Sequence, residues 1–175
     1  MITDFGFAKK RNVYVHTLTT TLCGTPQYLA PELVHGWVQG FAVDWWTLGI
    51  LLYEMVVGHP PFEDDEHVKM YQKIIGYNCT FPKNCSAEFR DIIEKLLEKN
   101  AYRRLGSAQG ANDIKRHSFF KGFDWQKMEK RELTAPYLPT ITSETDLSNF
   151  EKVEPPQEEE EPINNPSLLN WADEF

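Results

Sequence analysis

Few residues in this sequence have the type and setting to do chemistry, and they lie far apart. Asp4 offers a hard oxygen ligand beside Gly6, a residue with free backbone geometry, and such a pair suits a divalent cation as well as a solvated turn. Glu54 interrupts an otherwise apolar run. A lone carboxylate in such a place is expensive to bury, so it is paired or functional. A Thr-rich stretch from Thr17 to Thr25 supplies hydroxyls behind the basic run Lys9-Lys10-Arg11. Cys23, Cys79 and Cys85 are too few and too scattered for a disulfide scaffold or a cysteine-based zinc site, so a reducing compartment is expected. Gly106-Ser107-Ala108-Gln109-Gly110 is glycine-rich but follows no strand, so it does not read as a phosphate-binding loop.

The elements that must position these groups are helical. The chain has 175 residues, 41% of them apolar and 13% aromatic, enough for a sizeable core. No apolar run reaches 18 residues; the longest candidate, Trp45 to Val57, is broken by Thr47, Gly49 and Glu54, so no membrane span is expected. No basic stretch followed by an apolar run stands at the start of the sequence, so no secretory signal is expected. The net charge of −8 is carried almost wholly by residues 151–175, where eight acids face one base. A nucleic-acid partner is disfavoured on that ground.

Residues 1–31 read as loop. The apolar pattern predicts a helix over Val43 to Val57, ended by Gly58 and Pro60-Pro61, and apolar on nearly every side, hence a buried central helix. A second spans Glu66 to Ile75, with Val68, Tyr71, Ile74 and Ile75 on one face. A third opens with Ser86 as N-cap and runs Ala87 to Leu97, and a short fourth lies near Ala111 to Arg116. No strand pattern is visible. From about Lys121 the character changes, and six prolines arrive after Glu132 with the Glu run. The division is a mainly α body, 1–120, and an extended tail, 121–175.

The order of short elements then carries a resemblance. Asp4-Phe5-Gly6 is followed by Ala30-Pro31-Glu32, then Asp44-Trp45-Trp46 with Gly49, then Arg103-Arg104-Leu105-Gly106. This set resembles the C-terminal helical lobe of the two-lobe eukaryotic protein kinase fold. Thr21-Leu22-Cys23-Gly24-Thr25-Pro26, Gly110 to Lys115, His117-Ser118-Phe119-Phe120, and Ser148-Asn149-Phe150 before the Glu run are similar to the AGC group, within it to the cAMP-dependent kinases, with the cGMP-dependent kinases close by.

The resemblance implies a serine/threonine kinase that uses ATP and Mg²⁺ on substrates with basic motifs. It makes Asp4 the principal metal ligand, Thr3 an adenine-facing residue and Phe150 the tail aromatic that covers adenine. It makes Thr21 the activating phosphosite, with Lys9 as a base for it and Thr17, Thr19 and Thr20 as rival acceptors. Leu22, Pro26 and Leu29 become the pocket for the residue after the phosphoacceptor. Thr25 becomes the partner of the catalytic Asp, and Glu54 the ligand of an Arg two residues before the acceptor. Glu32 and Arg104 become a buried ion pair, and Asp44 either caps the central helix or braces the catalytic loop. Tyr71 either packs on its helix face or contacts a cAMP-binding regulatory subunit.

The sequence departs from the pattern at Gln27, Thr20, Val153 and Ala172. Phe175 resembles the last Phe of the hydrophobic motif, and Ser167 a tail phosphosite. The chain contains no His-Arg-Asp triplet, no Gly-rich loop after a strand and no ATP-pairing Lys; in the family these lie upstream of the position of Met1. The expectation is an inactive isolated polypeptide in a cytoplasmic or nuclear setting. The alternative is a non-catalytic module that binds substrates or a regulatory subunit.

Overall fold

The computed structural model describes residues 4–8 and 22–152. It divides into two compact units, Met1–Lys130 and Arg131–Phe175. In the first, a 3-10 turn at Pro26–Tyr28 leads into α1 (Pro31–Val34), α2 (Ala42–Val57), α3 (His67–Gly76), α4 (Ala87–Leu96), α5 (Ala111–Lys115) and α6 (Trp125–Glu129), with a second 3-10 turn at Ser118–Phe120. No strand occurs among the described residues. None of their helices is long and apolar enough to cross a membrane.

Local signals account for the longer elements. Gly58 stops α2 in a left-handed conformation, its N–H donating to Glu54 O at 2.8 Å. Ser86 caps α4, its hydroxyl accepting from Phe89 N–H at 3.1 Å. Phe89, Ile92, Ile93 and Leu96 then fall on one buried face. That face packs on Trp46, Ile50 and Tyr53 of α2, and Met70 and Ile74 of α3 join the same core. At Gly49 the α2 and α4 sides meet so closely that a Cβ would lie 2.9 Å from Leu96 Cβ and from Leu97 Cδ2.

Three expectations need correction. The helix α2 is not buried all round: Leu51, Met55 and Val56 are 43%, 65% and 60% exposed. Its core contacts are made by one stripe, Trp46, Gly49, Ile50 and Tyr53, because α4 covers that side. On α3 the buried residues are Met70 and Ile74, one turn apart, whereas Val68 is exposed. Finally, Phe41 holds the cap position of α2 and no side chain closes it. Asp44 sits inside the first turn, where an acid meets the positive end of the helix.

In the second unit, Asp146 organises a closed turn. It accepts Thr142 N–H at 2.8 Å, Thr142 Oγ1–H at 2.6 Å and Ser148 N–H at 2.8 Å, while Asn149 Nδ2 donates to Thr140 O at 3.0 Å. The Thr142 and Ser148 donors hold the Asp146 carboxyl far below the usual carboxylate range.

Candidate functional site

The segment Leu22–Val34 is anchored from below. Leu29, Ala30 and Leu33 enter the core, and Thr25 O accepts Tyr28 N–H at 3.0 Å to close the 3-10 turn. Behind it, Glu32 is 4% and Arg104 2% exposed. Arg104 Nη1 donates to Glu32 Oε1 at 2.7 Å and Nη2 to Glu32 Oε2 at 2.9 Å, the fork geometry of a bidentate pair. The remaining donors reach the Ala42, Glu98 and Lys99 carbonyls. One guanidinium thus ties α1 to the start of α2 and the end of α4, with its Cζ 5.2 Å from the Trp46 ring centre.

On the outer side of the segment, Tyr28 donates its hydroxyl to Glu54 Oε2. This bond, together with burial and the carboxylate's charge, pushes the Tyr28 pKa up to about 12. Glu54 is therefore partnered and half-buried on α2, beside the 3-10 turn that contains Pro26. Leu22 is 59% exposed, Thr25 is exposed and Pro26 is half-buried. Leu29 belongs to the core, so these residues do not form one enclosed pocket.

Asp4 is exposed and adopts φ 57°, a left-handed conformation in which its Oδ1 accepts Gly6 N–H at 3.1 Å. Among the described residues no group of three His, Cys, Asp or Glu side chains could hold a metal ion. Asp4 offers one hard ligand, and a lone exposed carboxylate binds Mg²⁺ weakly. Among the described residues Asp4 is therefore not joined by a second and third ligand of that kind.

Asp44 is accessible yet partly desolvated by the helix wall, which raises its pKa. Tyr71 is half-buried, 6.2 Å from the His67 ring. Phe150 is 70% exposed within the second unit. Thr3, Lys9, Thr17, Thr19, Thr20, Thr21, Val153, Ser167, Ala172 and Phe175 lie outside the described residues.

Two participants escaped the sequence reading. The signal for Tyr28 is a polar aromatic in a Pro-led segment, the kind of partner a lone Glu54 calls for. Lys99 had no such signal. Its ammonium lies 4.2 Å from the Phe62 ring centre and 4.9 Å from that of Trp46, and donates to Ile74 O at 2.7 Å. Burial lowers its pKa to about 8.

Comparison with known proteins adds a second line of observation. The sequence matches the protein kinase domain family over residues 1–120. It is 43% identical over 175 residues to a cAMP-dependent protein kinase catalytic subunit of Dictyostelium discoideum, an overlap that takes in 99% of this chain and 26% of that protein. It is 48% identical over 151 residues to the mouse (Mus musculus) cAMP-dependent protein kinase catalytic subunit PRKX, covering 86% of this chain and 41% of the relative. To the serine/threonine-protein kinase gad8 of Schizosaccharomyces pombe it is 45% identical over 148 residues, covering 85% and 26%. The chain thus spans less than half the length of each of these relatives.

Proposed function

Because this chain belongs to the protein kinase domain family, we propose that it is the C-lobe and tail portion of a serine/threonine kinase of the cAMP-dependent type. In the complete enzyme, ATP would supply the γ-phosphate and Mg²⁺ would neutralise phosphate charge, with Asp4 as one ligand. The substrates would be proteins with basic motifs. The observation that carries the substrate reading is the carboxylate of Glu54, held by Tyr28 beside the Thr25–Leu29 segment on a helix face that is otherwise apolar. A planar guanidinium of a docked peptide matches such a carboxylate.

Residues 1–175 contain no candidate for the catalytic base or the ATP-pairing Lys. Phosphoryl transfer depends almost entirely on positioning and electrostatics, so residues 1–175 unaided do not transfer phosphate in this reading. The division into a kinase portion, 1–120, and a tail, 121–175, with Thr21 as the activating phosphosite and a cAMP-binding regulatory subunit as partner, belongs to the same proposal, as does a cytoplasmic or nuclear location.

Two measurements test it. A labelled Ser peptide with Arg two residues before the acceptor is titrated by fluorescence anisotropy. Binding should weaken about tenfold in Glu54→Gln, the loss expected for one charge-assisted bond. Equal binding to both proteins would remove Glu54 from the substrate site. In a radiolabel-transfer assay the isolated chain should give no signal above background, and clear turnover would refute the inactivity. A second reading is a non-catalytic module that competes for substrates. It predicts that peptide binding persists when the chain is added to an active relative, whose turnover of that peptide then falls.

A further inference from the structure

His117 is the one buried imidazole among the described residues, and it stands where the 3-10 turn Ser118–Phe120 packs on α4. Its Nδ1 caps that turn, accepting Phe119 N–H at 3.2 Å. A backbone N–H only donates, so Nδ1 presents a lone pair and the proton of the neutral ring sits on Nε2. From α4, Asp91 Oδ2 accepts the Nε2–H bond at 3.0 Å, and Lys95 Nζ lies 2.8 Å from the same oxygen and 3.3 Å from Nε2. The Lys95 bond and charge, joined by the imidazole, hold the Asp91 carboxyl below the usual carboxylate range, so Asp91 stays ionised where an imidazole titrates. From α5 comes a backbone contact, His117 N–H donating to Ile114 O at 3.0 Å. The charged side chains of that segment pair elsewhere, Asp113 with Arg116 at 3.3 Å and Lys115 with Glu129 at 2.7 Å.

The turn that His117 caps holds a chain of rings. Phe119 meets Phe89 of α4 at 6.3 Å, and Phe120 meets Phe123 at 6.3 Å and Trp125, which opens α6, at 5.0 Å. Trp125 Nε1 donates in turn to Lys115 O at 3.2 Å. We propose that His117 is an acid-sensitive latch: neutral, it fastens the Ser118–Phe120 turn to α4, and protonated, it lets the turn go.

The added proton has one place to go. Nε2 already carries a hydrogen, so the proton binds Nδ1 and turns the acceptor of Phe119 N–H into a second donor. Two N–H groups then face each other at the cap, and the turn must open. On the far side the new cation gains attraction from Asp91 and repulsion from Lys95, 3.3 Å away. Asp91 keeps the ring on α4, so the bond to the turn is the one that is lost. Opening carries Phe119 off Phe89 and loosens Phe120 against Trp125. The latch lies within the helical body and is independent of phosphoryl transfer, so it stands whether or not the kinase reading holds.

The experiment follows hydrogen exchange of the dilute full chain by mass spectrometry between about pH 8 and about pH 5, the range in which imidazoles titrate. The readout is the protection of the peptide spanning residues 117–123, corrected for the intrinsic pH dependence of exchange. Protection should fall about fivefold toward the acid end, the loss expected for one cap. His117→Asn keeps a side-chain acceptor for the turn and cannot take up the proton, so its protection should stay high throughout. His117→Ala should be poorly protected throughout. Lys95→Met removes the opposing charge and should move the transition to higher pH than in wild type. Circular dichroism checks the fold of each variant. The proposal is overturned if wild-type protection does not change with pH, or if His117→Asn starts protected and loses protection over the same range. If Asn does not cap and matches His117→Ala, the Lys95→Met transition decides: a shift to higher pH supports the latch, and an unmoved transition overturns it.

Discussion

Arg104 is buried with each of its five N–H groups engaged, two by Glu32 and the rest by backbone carbonyls. Such a residue is costly to remove alone. Arg104→Met should lower unfolding free energy by about 3–5 kcal/mol, because Glu32 is left charged and unpaired in the core. Adding Glu32→Leu should recover much of that loss, which urea denaturation of the single and double variants measures. If the double variant is no better than the single, the loss comes from packing and not from the orphaned charge.

Lys99 gives a pH-dependent prediction. Its folded pKa, about 8, lies below its ordinary value of 10.5. Below pH 8 both folded and unfolded chains are protonated there. Between pH 8 and 10.5 the unfolded chain holds more protons at this site, so its contribution to stability rises with pH. From pH 9 upward Cys79, whose folded pKa is raised from 9.0, acts with the opposite sign, so the readable window is pH 8–9. Allowing for the solvent screening of a half-buried group, wild type should gain about 0.5 kcal/mol on Lys99→Met across that window. Parallel stability–pH curves for the two proteins would contradict the lowered pKa.

For α4, the cap and the packing face act separately. Ser86→Ala removes the bond to Phe89 N–H and should cost about 1 kcal/mol in thermal or urea unfolding without altering the fold. Gly49→Ala poses competing effects within α2. Alanine is the better helix former by about 1 kcal/mol. The added methyl, however, would meet Leu96 and Leu97 at 2.9 Å, and overpacking of that kind costs about 1–3 kcal/mol. The net effect should be destabilising, and a rise in melting temperature would mean that α2 and α4 can part without penalty. At this scale much was legible. The bounds of α2 through α5 follow from period, cap and glycine stop to within one or two residues. The four-residue α1 and five-residue α6 were not read from the sequence.

Across the whole molecule, the exposed face of α2 and the loop before it leave apolar surface in water. Leu51, Met55 and Val56 lie on the helix, and Trp37 and Phe41 are 61% and 64% exposed. Monomeric proteins seldom expose contiguous apolar patches of large size. The isolated chain should therefore associate as its concentration rises, with sedimentation velocity showing species larger than a monomer. Leu51→Lys with Met55→Lys should shift that distribution toward monomer. A sharp cooperative melt from a purely monomeric wild type would contradict the expectation.

By itself, the sequence determined α2 through α5, the Gly58 stop and the Ser86 cap, and the ordered tripeptides that point to a protein kinase. All of these are written in short windows where propensity, periodicity and capping act locally. Which side of α2 meets the core, and which partner each charged or polar group finds, was decided only by the tertiary structure. Tyr28 and Glu54 are 26 residues apart and their meeting was not read from the sequence, whereas the Glu32–Arg104 pair, 72 residues apart, was expected from the family resemblance and not from a local pattern. Lys99 reaches its two rings across the core. Such meetings arise when packed helices exclude water from the space between them, and no local pattern encodes which distant residue will be on the other side.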